Sequence, residues 1–340
     1  MVTRFLDDYD ASQRKTTGLW AKKRTITINN ATIGQLTDFP LLVRLDASRI
    51  DYGLCQGNGQ DLRFYDADGV TELSYEIERW FTSGTSLVWV KVPQIDAGST
   101  SDSIVMRYGN PNAGAGSNAA AVWSSEYKGV YHMADGNDST ANANHATASS
   151  NVTHSSTAQM GGKGFFDAAL NPYIQIPTTG LTTAAGTIEA IVEMRTAPTA
   201  TNYRFAFSHT NTGAERIYLG AVHTSRAFFG TFGDNATGVT SATAYTLNTL
   251  TYVSITYTGL NFTMYFNGVQ TDTGSAFGHT GILPSAKIGN YGQTPTATWA
   301  WDGYIHEMRM LSSAKSADYM TANNRAITDT YLTFGAETDN

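Results

Sequence analysis

Thr187-Ile188-Glu189-Ala190-Ile191-Val192-Glu193-Met194-Arg195 alternates strictly, with Ile188, Ala190, Val192 and Met194 on one parity and Glu189, Ile191, Glu193 and Arg195 on the other. Successive side chains of an extended chain point to opposite faces, so this period of two predicts a β-strand with one buried face. Similar runs recur at residues 204–207, 216–222, 252–257, 262–266 and 304–310, and Asn267-Gly268 suits the positive φ angles of a type I′ hairpin turn. Only residues 314–325 read as a helix. Upstream, residues 24–28, 41–45, 61–65, 86–92 and 104–108 form short strand-like runs separated by turn residues, the pattern of a sandwich or barrel. The run Gly109-Asn110-Pro111-Asn112-Ala113-Gly114-Ala115-Gly116 cannot continue a strand and reads as a linker, with a boundary near residue 115. The chain therefore reads as all-β, with two consecutive β-sandwich domains at residues 20–115 and 116–340. A polar arm without apolar period precedes them at residues 1–19.

Composition narrows what these domains do. A chain of 340 residues has room for two cores that need no staples. The single cysteine, Cys55, excludes an internal disulfide and a multi-cysteine metal site, and reads as a small buried hydrophobe. Charged residues make up 15% of the chain, and the formal net charge is −7 with no long Lys/Arg run. Such a chain lacks the electrostatic footprint of a nucleic-acid binder. No apolar stretch reaches the length of a membrane-spanning helix, so no membrane insertion is expected. Residues 1–9 contain no apolar h-region, which favours a route other than Sec export unless a signal has been removed.

The residues also suggest families. Residues 127–338 resemble a laminin-G-like, concanavalin A-like jelly-roll module: a strand at 129–133, then Asp138-Ser139-Thr140-Ala141-Asn142-Ala143-Asn144-His145, then 161–167 and 173–177. The more specific part is Trp301-Asp302-Gly303-Tyr304-Ile305-His306-Glu307-Met308-Arg309 followed by residues 312–318, which looks like the family's closing strand and short helix. An Asp or Asn usually stands where this chain has His306. Residues 20–125 look like a domain of unknown function that often precedes such modules in bacterial and viral surface proteins. That resemblance rests on Asp38-Phe39-Pro40, residues 61–64 and 66–69, 75–80 and 88–93, and Tyr108-Gly109-Asn110.

Candidate chemistry is sparse. Related jelly rolls include glucanases that place a tight set of carboxylates on one strand. Here Glu189 and Glu193 share a face, but Ile191 stands between them, so both read as solvated outward residues and no catalytic residue is assigned. Glu76 and Glu78 read the same way. The seven histidines show no zinc-hydrolase spacing, and no nucleophile elbow or phosphate loop appears. The resemblance implies Ca2+ as a cofactor, with Asp135, Asp138, Asn142 and Asn144 supplying oxygens and Asp302 approaching from the closing strand. The alternative is that these residues make Asx turns. Asp66-Ala67-Asp68-Gly69 reads as an ordinary hairpin turn, since no glutamate follows at the distance an ion loop needs. A lectin-like module would stack loop aromatics on sugar faces, and the candidates are Tyr291, Trp299, Trp301 and Tyr203, with Asn211 and Asp234 as polar partners.

The leading expectation is a non-catalytic virion component, of a phage tail or capsid, that attaches to host carbohydrate. An extracellular or bacterial cell-surface protein is the alternative localisation. Its partners would be other proteins of a homo- or hetero-oligomeric assembly and cell-surface glycans. The alternatives are a structural decoration that stabilises a viral assembly without binding sugar, and a glycoside hydrolase.

Overall fold

The computed structural model describes residues 20–158, 160–199, 203–211, 215–222, 228–234, 239–241, 243–275 and 284–340, without the side chains of residues 158, 215 and 232–234. The arm at residues 1–19 lies outside this range. The chain is all-β and divides into two compact units, one comprising residues up to Val122 together with Ala326–Asn340, the other Trp123–Arg325.

The first unit contributes β1 (Lys22–Ile28), β2 (Leu36–Leu45), β3 (Arg63–Asp66), β4 (Glu72–Leu73), β5 (Tyr75–Arg79), β6 (Ser86–Ile95), β7 (Ser103–Tyr108) and a short helix α1 (Ala119–Val122). The second contributes β8 (Tyr127–Tyr131), β9 (Ala148–Ser150), β10 (Val152–Ala158), β11 (Gly161–Phe166), β12 (Tyr173–Ile176), β13 (Ala185–Met194), β14 (Tyr203–Thr210) and β15 (Glu215–Val222). It continues through β16 (Phe228–Asp234), β17 (Val239–Thr240), β18 (Thr251–Thr258), β19 (Asn261–Phe266), β20 (Val269–Ser275), β21 (Ser285–Ile288) and β22 (Gly303–Leu311). Helix α2 (Ala317–Ile327) follows, and then β23 (Leu332–Phe334) and β24 (Thr338–Asp339) return to the first unit.

In the first unit, β2 and β5 flank β6 in one sheet, and β23, β1, β7, β3 and β4 form the other, with β24 also on β1. Leu87, Val88, Trp89 and Val90 of β6 are all fully buried, so this strand is apolar on both parities because both of its faces are covered. The sequence places the last residues in the second domain, but the structure pairs them with the first. Ile26 to Ile28 register with Phe334 to Leu332. Tyr331 is fully buried and its hydroxyl donates to Asn30 at 2.7 Å. Arg49 binds Asp329 through two hydrogen bonds and lies 4.6 Å from the centroid of Phe334. The expected linker is likewise held on this unit: Gln56 Nε2 donates to the carbonyls of Asn110 and Ala113, and Arg63 to that of Gly114. Gly109 is required where it stands, at φ 83° with both its N–H and that of Asn110 on the buried carboxylate of Asp61. Cys55 is only half-buried, and desolvation beside Asp61 and Asp51 pushes its thiol up to about 12.

The second unit has two sheets. One runs β10-β11-β22-β13-β18-β19-β20, with β8 also on β22; the other runs β17-β16-β15-β14-β21-β12-β9. Their inward residues, among them Ile188, Ala190, Val192, Phe207, Leu219, Ile255, Ile288 and Trp301, make one continuous core. Asn267 and Gly268 have φ 49° and 77° and join β19 to β20, the predicted turn with both central residues left-handed. One expectation changes: β13 is buried on both parities up to Val192, and Glu189 is 2% exposed.

Candidate functional site

Outside this core, on the opposite face of the β14-bearing sheet, a second apolar cluster forms. Phe205, Tyr218 and Phe229 are its buried centre, with Val222, Tyr291 and Trp299 packed on them. Strand alternation explains two of the three: Tyr218 lies between inward Ile217 and Leu219, and Phe229 follows inward Phe228. Phe205 is turned outward by a register shift, since Phe205 opposes Gly220 while Phe207 opposes Leu219, leaving Ala206 as the extra residue of a β-bulge. The rings form a continuous set: Phe205–Tyr218 at 4.6 Å, Tyr203–Phe229 at 4.8 Å, Tyr291–Trp299 at 4.7 Å and Tyr218–Tyr291 at 6.0 Å. Tyr203 is 41% exposed at its margin. Burial, with Tyr291 alongside, pushes the Tyr218 phenol well above its ordinary range, so it stays protonated as a donor.

The segment carrying Tyr291 and Trp299 is folded onto this face by its own polar groups. Phe205 N donates to Trp299 O at 3.0 Å, and Arg204 donates to the carbonyls of Ala297 and Ala300. Asn290 is fully buried: its Nδ2 donates to Asn171 and Pro172, and its Oδ1 accepts from the backbone of Tyr291 and Thr296. Lys287 donates to Gly292 O, and Gln293 Nε2 to Thr210 O. A Cβ on Gly292 would come 2.5 Å from Thr210 Oγ1, so this segment passes directly over the strand.

The candidate sugar contacts divide accordingly. Tyr203, Tyr291 and Trp299 come together. Trp301 does not: it is fully buried in the main core, stacked 6.3 Å from Phe228, because the chain turns inward at Ala300. Asn211 follows Thr210, at the other end of β14 from Tyr203, and the side chain of Asp234 is outside the described part. Sequence alternation offers Tyr218 and Phe229 as outward residues. Nothing in the sequence marks the bulge that turns Phe205 into the outer cluster.

The residues expected to hold calcium do not fit that role. Asp138 is 5% exposed, and its carboxylate receives four donors: Val130 N and Thr140 N on Oδ1, Thr140 Oγ1 and Asn144 N on Oδ2. Its lone pairs are filled by the loop itself. Asp135 accepts from Asn137, while Asn142 and Asn144 use their amides on the carbonyls of Tyr127 and Lys128. Asp302 is tied to a different set, Arg195, Thr196 and Ala168 N, and against the effect of burial the hydrogen bonds from Thr196 and Arg195 hold its carboxyl below the usual range. Asp135, Asp138 and Asp302 do not converge on a shared ligand distance. The Asx-turn alternative describes this loop.

The acids expected to be solvated are partly interior. Glu189 accepts from Tyr252 and Tyr319, and Arg309 lies 3.8 Å away while also donating to Glu307 at 2.9 Å. Burial raises the Glu189 pKa and Arg309 opposes it. Glu193 is half-buried, and in the first unit Glu76 is 7% exposed. A carboxylate enclosed by two tyrosines and an arginine is sealed from a polysaccharide.

Comparison with known proteins gives two family matches. Residues 58–148 match a domain of unknown function (DUF2341), and residues 167–319 match the concanavalin A-like lectin/glucanases superfamily. No curated protein matches. Among solved structures, domain 4 of AbnA, an extracellular arabinanase from Geobacillus stearothermophilus in complex with arabinotriose, is similar at 16% identity and a TM-score of 0.46, with 58% of this chain and 97% of that one covered. The receptor-binding domain of botulinum neurotoxin type G aligns at 14% identity and 0.45, covering 59% and 51%. Trypanosoma rangeli sialidase aligns at 15% and 0.45, covering 69% and 42%. This chain thus spans about half or less of the last two proteins. These likenesses concern the fold alone. The chain carries a domain of the concanavalin A-like lectin/glucanases superfamily, preceded by the DUF2341 domain of unknown function.

Proposed function

We propose that the second unit binds a saccharide on the outer aromatic face where Tyr203, Tyr291 and Trp299 lie over the buried Phe205, Tyr218 and Phe229, and that it does so without catalysis. The observation that carries this reading is the cluster itself, which lies outside the main core and reaches solvent at Tyr203. Tyr203 is exposed and Tyr291 and Trp299 are partly exposed on the solvent side of the sheet, where aromatic rings offer apolar faces to the C–H faces of sugar rings. The superfamily match supports the same class of ligand. The burial of Glu189 supports a binding role over hydrolysis, since no substrate reaches it.

We further place the protein at the surface of a virion or cell, in assembly with other proteins, with this face as the attachment module. The order of the two domains, which resembles that of bacterial and viral surface proteins, supports this placement. The test is a glycan array with the full-length chain, followed by Trp299→Ala and Tyr203→Ala. The expected result is specific retention that each substitution weakens by about tenfold or more, the scale of one lost aromatic contact. Absence of retention on every glycan, with loss of virion stability when the protein is missing, leaves the structural-decoration reading instead.

A further inference from the structure

We propose that the first unit carries a binding pocket of its own for an uncharged sugar, built on Arg24, Asp51 and Glu337. The site lies beside a bulge. Strand β1 registers Ile26 with Phe334 and Lys23 with Thr338, so residues 335–337 of the returning chain stand opposite only residues 24 and 25. Next to this extra residue is a cavity of about 460 Å3, lined by Arg24, Ile50, Asp51, Tyr52, Thr82 and Glu337. The volume is within the range of small-molecule sites, about 300–1,000 Å3.

The fold holds the polar groups of this pocket in place. Tyr108 is fully buried, and its hydroxyl accepts from Asp51 N at 3.3 Å and donates to Glu337, which fixes both acids around one point. Asp51 Oδ1 accepts from Gly53 N, and Arg24 Nη1 donates to Ser48 O at 2.9 Å. Among the described residues, Asp51 Oδ2 and Arg24 Nη2 have no hydrogen-bond partner and remain for a ligand. Glu337 Oε1 is 3.8 Å from the Lys22 ammonium, beyond hydrogen-bond reach. Tyr52 adds a ring whose hydroxyl is 2.8 Å from both Leu45 O and Ser86 Oγ, and the buried Ile50 adds an apolar wall.

These groups select the class of ligand. The Nε of Arg24 is buried and Nη1 is engaged, so the guanidinium offers one nitrogen and not the two-pronged fork that grips a carboxylate or phosphate. Among the described residues, Asp51 and Glu337 have no third acid, cysteine or histidine at metal-ligand distance. Arg24 and Lys22 balance the two acids, which leaves no net charge to draw an ion. A hydroxyl donates and accepts at once, so neighbouring hydroxyls of one sugar ring satisfy the carboxylates and the guanidinium together, with its C–H groups against Ile50 and Tyr52.

The experiment is saturation-transfer NMR on the full-length protein carrying Trp299→Ala, which removes the outer aromatic face as a source of signal. The probes are glucose, galactose, mannose, rhamnose and N-acetylglucosamine, with glucuronate and glycine as charged controls. The expected result is saturable transfer to at least one neutral sugar, stronger than to either control. Asp51→Asn and Glu337→Gln, which keep acceptors for Gly53 and Tyr108, should each weaken its Kd by about tenfold. Ala47→Trp, at the exposed rim, should abolish binding. Should Glu337→Gln fail to fold, Asp51→Asn and Ala47→Trp decide the matter. The inference is overturned by tighter binding of glucuronate or glycine, by transfer that survives Asp51→Asn and Ala47→Trp unchanged, or by no transfer at all. None of these outcomes touches the outer-face reading, which is measured with Trp299 in place.

Discussion

His306 shows how one side chain ties the interior of the second unit to pH. It is 2% exposed, neither ring nitrogen has a hydrogen-bond partner, and Glu193 Oε2 is 3.6 Å from Nε2, too far to accept. Burial, reinforced by the nearby charge of Lys163 and only partly offset by Glu307, lowers its pKa to about 4. The unfolded chain protonates this imidazole near pH 6.5, whereas the native state keeps it neutral down to about 4. The neutral residue's contribution is therefore whole above pH 6.5 and is lost progressively as pH falls towards 4, about 3 kcal/mol over that window. The resemblance leads one to expect Asp or Asn at this position, and His306→Asn removes the titration. Urea midpoints measured between pH 7 and 4.5 should fall with acid in the wild type and distinctly less in the variant; parallel curves would reject the assignment.

At the scale of elements, the loop between β8 and β9 and the loop before β22 show what sequence pattern conveys and what it omits. Alternation in residues 187–195 located β13, and Asn267-Gly268 located a turn, because both depend on local backbone preference. The cluster of Asp and Asn at 135–144 has the composition of an ion loop, but its function depends on where the surrounding N–H groups point. They point at Asp138. Trp299 and Trp301 are two residues apart and equivalent by composition, yet one packs on the outer cluster and the other in the core, because Ala300 bridges to Phe205 between them. That pairing spans 95 residues of sequence and leaves no local signal. The Asp138 geometry yields a clear prediction: a chelator leaves the thermal midpoint unchanged, while Asp138→Ala, which strands several buried donors, lowers stability by on the order of 3 kcal/mol and is not rescued by added calcium. A chelator-induced fall in Tm would reinstate an ion at this loop.

At the scale of the whole chain, the path returns to its starting unit. Sequence reading ends the first domain near residue 115 and assigns everything after it to the second. Weak, short strands such as Leu332–Phe334 and Thr338–Asp339 carry too little pattern to reveal a partner some 300 residues earlier, although their pairing is plain in register. Once paired, they matter to the first unit more than their length suggests. Tyr331 is fully buried and sits 6.3 Å from Phe39, with its hydroxyl on Asn30, and Arg49 has its two-pronged partner in Asp329. Removing a buried aromatic of this size costs about 3–5 kcal/mol, a large share of the stability of a domain. Truncation after Thr328 takes away Tyr331, both terminal strands and Asp329, and it leaves Ile26 and Ile28 on an open strand edge. The first unit of the truncated chain should therefore unfold or be cleaved in limited proteolysis at protease concentrations that leave the full-length chain intact. Tyr331→Ala should show the same defect in milder form, as an earlier urea transition. Full protease resistance of the truncated chain would mean that β1 to β7 suffice, and that the returning strands merely decorate a sheet already stable without them.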